Sequence, residues 1–247
     1  GDIGNVKEGV RKAGWKGPYM ITEWGPNGHW EVAKTNWNAP IEQSSFEKAD
    51  SYEERYKKYI SGDQEMCIGS FVFLWGQKQE TTSTWYGLFS QDGKTAEPID
   101  RLHKLWKGAE PRNRAPQVKS VLVDGKNKSQ SVSLIAEEKY EAKIDVSDLD
   151  GDKLIYQWQI IPESTDIKAG GDAESAPLPI SGLFTKKKNE NAVFYAPAEV
   201  GHYRLFIFVY DGNGHYAYEN VPFAVTARDP NLGPARPVSF KKMEMKP

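Results

Sequence analysis

The sequence predicts an α/β part, read as a partial (β/α)8 barrel made of its last βα units, followed by an all-β two-sheet sandwich. Three observations carry that reading. Seven of the eight tryptophans precede residue 110, and only Trp158 follows. Helical and strand-like patterns alternate in the first part, which is the signature of a parallel sheet. In the second part, short strand-like runs are separated by Asp-Gly and similar turns. Between the two lies Glu110-Pro-Arg-Asn-Arg-Ala-Pro116, whose two prolines and three charges extend neither a helix nor a central strand. The expected division is therefore 1–109, a linker at 110–116, a sandwich at 117–227, and a proline-rich, aperiodic tail at 228–247.

Element by element, Val6 to Ala13 reads as the end of a helix, broken by Gly14 and Gly17-Pro18. Tyr19 to Trp24 follows as a short strand. Ser44-Ser-Phe-Glu47 and Ser51-Tyr-Glu-Glu54 both match the capping pattern, in which a hydroxyl and a carboxylate satisfy first-turn amides. Tyr52, Tyr56, Tyr59 and Ile60 recur at helical spacing among charged residues, which predicts one buried stripe. Met66 to Trp75 is a near-continuous apolar run, as in parallel strands covered on both faces. A helix over about Pro98 to Trp106 stops at Gly108. Two strands make up a quarter of an eight-stranded barrel, so the first part reads as incomplete.

Beyond the linker, Val118–Val123, Tyr140–Val146, Leu154–Ile161, Ala192–Tyr195, Tyr203–Tyr210 and Tyr216–Val225 are read as strands, with Trp158 in the core between two sheets. Lys186-Lys-Lys188 is a solvated connection.

Composition narrows the functional classes. The 32 Lys+Arg against 34 Asp+Glu leave a formal charge of −2, so no strong field draws the chain to nucleic acid. Hydrophobic residues at 38% and charged residues at 27% describe a chain able to bury a core. The longest apolar stretches, Cys67–Trp75 and Leu205–Tyr210, fall far short of the roughly 20 residues of a membrane-spanning helix. The single cysteine, Cys67, allows no internal disulfide and sits in an apolar run that suits an inert buried thiol. Gly1-Asp-Ile-Gly-Asn5 shows no basic region leading into an apolar one, so the expectation is a chain that starts late within a longer protein.

Chemistry is concentrated in Thr22-Glu23-Trp24-Gly25-Pro26 and in the loops after it. Glu23 stands at a strand end before a glycine turn, where catalytic groups of (β/α)8 enzymes face the open mouth. Asn27-Gly28-His29-Trp30-Glu31 adds aromatic surface and a second carboxylate. The next strand ends at Trp75, and the loop from Gly76 to Phe89 carries Glu80, Trp85 and Tyr86. A bland reading stands beside this one: a strand-end glutamate also caps turns or pairs with lysine. Trp15, Trp37 and Trp106 read as packing residues, and His103, His202 and His215 lack metal-ligand spacing.

These segments resemble the retaining glycoside hydrolases of the large (β/α)8 superfamily, which includes β-galactosidases, β-mannosidases and endoglucanases. Tyr19-Met-Ile-Thr-Glu-Trp-Gly25 resembles the family's seventh strand, which ends in a glutamate nucleophile. Gly69-Ser-Phe-Val-Phe-Leu-Trp75 resembles its eighth, whose tryptophan lines the sugar subsite. The segment Tyr86 to Lys94 and the helix to Gly108 resemble the family's closing loop and last helix. The resemblance implies Glu23 as nucleophile, Trp75 as sugar platform, and Trp24, Trp30, Trp85 and His29 as further substrate contacts. A retaining mechanism needs two carboxyl groups about 5 Å apart. The family's acid/base glutamate follows an asparagine on the fourth strand, and no Asn-Glu pair precedes Glu23; Asn189-Glu190 lies in the second part and is no match.

The turn Asp148-Leu-Asp-Gly-Asp152 has the carboxylate density of a calcium loop but places Lys153 where an EF-hand needs glycine, so hairpin chemistry is the expectation. With Leu154–Trp158 and Gly201–Gly212 it resembles immunoglobulin-like modules of the polycystic-kidney-disease type, often appended to bacterial polysaccharide-degrading enzymes. The expectation is thus part of a secreted or periplasmic glycoside hydrolase whose partner is carbohydrate. It has no cofactor and no metal, and is inactive alone because its acid/base lies in a missing N-terminal part. The alternative is a non-catalytic carbohydrate-binding or spacer module.

Overall fold

The structure is a computed structural model that describes residues 2–168, 171–187, 189–229 and 231. Most of the segment expected to form the tail lies outside the described residues. In chain order the elements are α1 (Val6–Lys12), β1 (Tyr19–Trp24), α2 (Ser45–Arg55), β2 (Cys67–Val72) and α3 (Glu97–Lys107). They are followed by β3 (Gln117–Val123), β4 (Val132–Ile135), β5 (Lys139–Ser147), β6 (Ile155–Pro162), β7 (Phe184–Lys186), β8 (Asn191–Tyr195), β9 (Gly201–Tyr210) and β10 (Tyr216–Thr226).

The partial (β/α)8 barrel expected from the alternation is not what forms. Among the described residues there are three α-helices against ten strands, and β1 pairs in parallel with β2 alone, in an irregular register. Nor is β2 covered on both faces: Ile68 is 65% and Phe71 60% exposed. The apolar run supplies one core face, and its other face is open, with Met20 of β1 beside it. The physical reason is the strand count, since a two-stranded parallel ribbon cannot curve into a closed wall and buries only the side its helices cover.

That covered side is built by local rules. Ser44 caps α2 by accepting from the Glu47 N–H at 3.2 Å, while the Glu47 carboxylate accepts from the Ser44 N–H at 2.7 Å. The second capping pattern lies inside the same helix, where the Ser51 hydroxyl donates back to the Glu47 carbonyl. Helix α3 ends at Gly108, whose φ of +70° is the left-handed closure that glycine adopts without strain. The core joins Ile21 and Trp24 of β1, Tyr52 of α2, Cys67 of β2 and Leu102 of α3.

The second part is a sandwich of two four-stranded sheets, ordered β4-β10-β9-β6 and β3-β5-β8-β7. Strand β4 runs parallel to β10, and the other neighbours are antiparallel. Period-two alternation along β9 sends Tyr203, Leu205, Ile207 and Val209 into the core with Trp158. Arg204, Phe206, Phe208 and Tyr210 then share the opposite face, which the first part covers. Strand β10 is buried along nearly all its length because both its faces are occupied. Ala96 packs there against Tyr216 and Tyr218.

A buried polar network crosses the same junction. The Glu42 carboxylate accepts from the Lys48 ammonium at 2.5 Å, the Thr82 and Thr84 hydroxyls at 2.7 and 2.8 Å, and the Asn220 amide at 2.6 Å. Arg204 donates to Asn220, to the Pro40 carbonyl and to Glu163. The segment expected as a linker is tied down as well, with the Ala115 N–H on Asp100 and Arg114 paired with Asp150. A swinging spacer would lack such contacts.

Candidate active site

Glu23 lies one residue from the end of β1. Alternation turns Tyr19 and Ile21 inward and Met20 and Thr22 outward; a register shift after Ile21 then returns Trp24 to the core and leaves Glu23 exposed. The turn that follows is held tightly. Gly25 lies so near the Phe73 carbonyl that a Cβ there would sit 2.6 Å from its oxygen. Arg55 donates to the Gly25 carbonyl and the Asn27 side chain, and the buried Trp85 indole donates to the Asn27 carbonyl at 2.9 Å. Glu31 turns back on its own loop and accepts from the Gly28 N–H at 2.6 Å.

Tyr86, named in the sequence as part of the loop from Gly76 to Phe89, is buried in the structure. Its hydroxyl is buried and donates to no group, and its ring meets Phe73 edge-on at 5.4 Å. Burial raises its pKa, and the negative charges of Glu80, Glu31 and Glu23 add to that, with only the His29 backbone opposing. Tyr86 is thus held as a neutral O–H donor in the field of three carboxylates. Glu80 is itself buried and paired with Lys78 at 2.6 Å. No spacing rule marks Tyr86 or Glu80; both depend on how the loop from Gly76 to Phe89 folds back over β1.

The remaining expected contacts divide into two sets. Trp24 is fully buried, edge-on to Tyr52 at 5.4 Å, and Trp85 is buried beside His29, so neither offers a ring face to solvent. Trp30 is 64% exposed and edge-on to His29 at 4.8 Å. Trp75 is 59% exposed but packs with Phe89 and stacks on Trp106 at 6.3 Å, so its partner is the residue read as a packing tryptophan. The structure joins His29 to Trp30 and Trp85, while Glu31 is turned onto its own loop and Glu80 onto Lys78. Trp75 belongs to a separate aromatic pair.

Among the described residues, no group of three or more His, Cys, Asp or Glu is placed to hold a metal ion. The Asp148 carboxylate instead accepts from the Asp150 and Asp152 N–H groups, which is turn chemistry. No helix among the described residues is long and apolar enough to cross a membrane.

No family model matches the chain, and no curated protein matches it. Among solved structures, a nucleoside hydrolase-related hypothetical protein from Saccharophagus degradans, associated with carbohydrate metabolism, shares 23% identity at a TM-score of 0.28. That match covers 46% of this chain and 26% of that one, so the chain spans about a quarter of its length. PcoC, a methionine-rich copper resistance protein from Escherichia coli, shares 18% identity over 45% of this chain and 99% of its own, at a TM-score of 0.26. Murine CRIg shares 12% over 46% and 98%, also at 0.26. At such TM-scores none of the three defines the fold, which is read from the strand pairing itself.

Proposed function

We propose that this chain belongs to a secreted or periplasmic glycoside hydrolase acting on β-linked poly- or oligosaccharides by a retaining two-carboxylate mechanism, with Glu23 as nucleophile. One observation supports the reading above the others: the Glu23 carboxylate is exposed one residue from the end of β1, before the tightly held turn at Gly25. A carboxylate that attacks an anomeric carbon must be open to the substrate, and Glu23 meets that condition at its strand end. The exposed Trp30 ring offers a surface for the C–H face of a sugar, with His29 beside it.

The reaction also needs a second carboxyl that protonates the leaving oxygen. Glu80 does not replace it, because its carboxylate is buried and taken up by the Lys78 ammonium at 2.6 Å. By this reading the 247 residues bind sugar but do not turn it over alone. Glu23→Gln in the protein as the source cell makes it should remove nearly all hydrolysis while sugar binding persists; retained turnover defeats the assignment. The exposed Trp75–Trp106 pair favours a second reading, a non-catalytic carbohydrate-binding module. Saturable polysaccharide binding lost on Trp75→Ala, with no turnover in the cell-made protein, would decide for it.

A further inference from the structure

A second site stands where the two parts meet. A cleft of about 260 Å³ is walled by Trp37, Thr81 and His29 from the first part and by Glu163, Ser164 and His202 from the sandwich. Trp37 lies nearly parallel to His202, at 14° and 5.7 Å, so a flat ring from one part rests on a flat ring from the other. Four residues of these walls each carry a buried polar atom without a partner: the Trp37 indole nitrogen, the Thr81 and Ser164 hydroxyls, and Glu163 Oε2. Native folds rarely leave such atoms unpaired, and four around one cleft ask for a reason.

The set is chemically mixed. The indole donates, the carboxylate oxygen accepts, and each hydroxyl does both. Glu163 does not act as a free anion, because its other oxygen takes two bonds from Arg204 at 2.7 and 2.9 Å. Its unpaired oxygen accepts a hydroxyl and repels a carboxylate or phosphate. A ligand that both donates and accepts through several neutral groups, and has an apolar face for an aromatic ring, is a neutral saccharide.

We propose that this cleft is a saccharide-binding subsite built jointly by the two parts, with Trp37, Thr81, Glu163 and Ser164 as its hydrogen-bonding groups. It rests on the carbohydrate reading above and extends it, because His29 borders both this cleft and the Trp30 surface. The sandwich is then a contributor to sugar binding. The four atoms are shielded from water; the Ser164 and Thr81 hydroxyls reach a ligand by rotation, whereas Glu163, held by Arg204, and Trp37, stacked on His202, need a shift of the cleft walls.

The test uses the purified 247-residue chain, with calorimetric titration of neutral tetrasaccharides of β-linked glucose, mannose, galactose and xylose. Ser164→Ala removes a group that has no partner in the fold, so its thermal stability should hold or rise, whereas Trp37→Phe also shortens the ring stacked on His202 and should lower it modestly. Affinity for the bound sugar should fall about five- to tenfold for each variant. Saturable binding unchanged in both variants but lost in Trp75→Ala overturns the subsite and leaves the carbohydrate reading standing. Binding lost in the cleft variants, together with full turnover by Glu23→Gln in the cell-made protein, keeps the subsite and defeats the nucleophile. No saturable binding of any of the four sugars in the millimolar range overturns the subsite.

Discussion

Lys48 and Glu42 form an ion pair at 2.5 Å with both side chains almost completely buried, at the junction between the two parts. Burial alone would raise the Glu42 pKa, but Lys48 and the Thr82 hydroxyl outweigh it and hold the carboxyl below its ordinary range. Burial lowers the Lys48 pKa, opposed by Glu42. Each charge is tolerable only because the other is there.

Removing one of them should therefore be costly. Lys48→Met leaves a buried carboxylate without its cation and should destabilise the chain by about 3–5 kcal/mol. The double substitution Lys48→Met with Glu42→Leu strands the Thr82, Thr84 and Asn220 donors but no charge, so it should cost less than the sum of the two single losses. Urea unfolding of the two single variants and the double would show a coupling of this sign; additive losses would mean that the pair does not act as one unit.

Glu97 supplies a pH dependence. Burial raises its pKa to about 7, against the attraction of Arg101 and the bond from Gln117. A carboxyl with a folded pKa above its unfolded value keeps its proton longer in the folded chain, so stability falls as pH rises from about 4.5 to about 7 and then levels. Glu97→Gln should flatten that fall and gain about 1–3 kcal/mol at pH 8 relative to the parent. Equal pH slopes in the two proteins would refute the assignment.

Tyr86→Phe removes a buried hydroxyl that donates to nothing, so its stability should stay within about 1 kcal/mol of the parent. In the cell-made protein the same change should lower kcat more than it raises KM, because it removes a donor near the nucleophile but no sugar platform. A large loss of stability would show that the hydroxyl is satisfied in solution.

Met20, Ile68, Phe71, Trp75 and Trp106 are all exposed on the first part. Exposed apolar side chains of this number favour self-association. Light scattering should report a mass that rises with protein concentration, and Phe71→Asp should suppress the rise. A monomer at all concentrations would count against it.

Much of the local structure was legible because it follows from neighbours in sequence. The capping box at Ser44, the glycine stop at Gly108 and the alternation of β9 each depend on a few adjacent residues. The apolar run from Met66 misled for the opposite reason. Composition reports that a strand is hydrophobic, but not whether a neighbouring element arrives to cover its second face. The tryptophans split in the same way: Trp24 and Trp85 are core and Trp30 and Trp75 are open, although nothing in their immediate sequence separates them.

The sequence by itself determined the places of the helix ends and turns, the inward set of the sandwich strands and the exposed strand-end glutamate, because short-range sterics and periodicity decide those. Only the tertiary structure decided that β1 and β2 stay a two-stranded ribbon, that Tyr86 meets the field of Glu23, and that Trp37 lies on His202. Those relations join residues far apart in the chain, and they come from the packing of the first part on the outer face of β9 and β10, where aromatic burial and a closed network of buried charges select one arrangement.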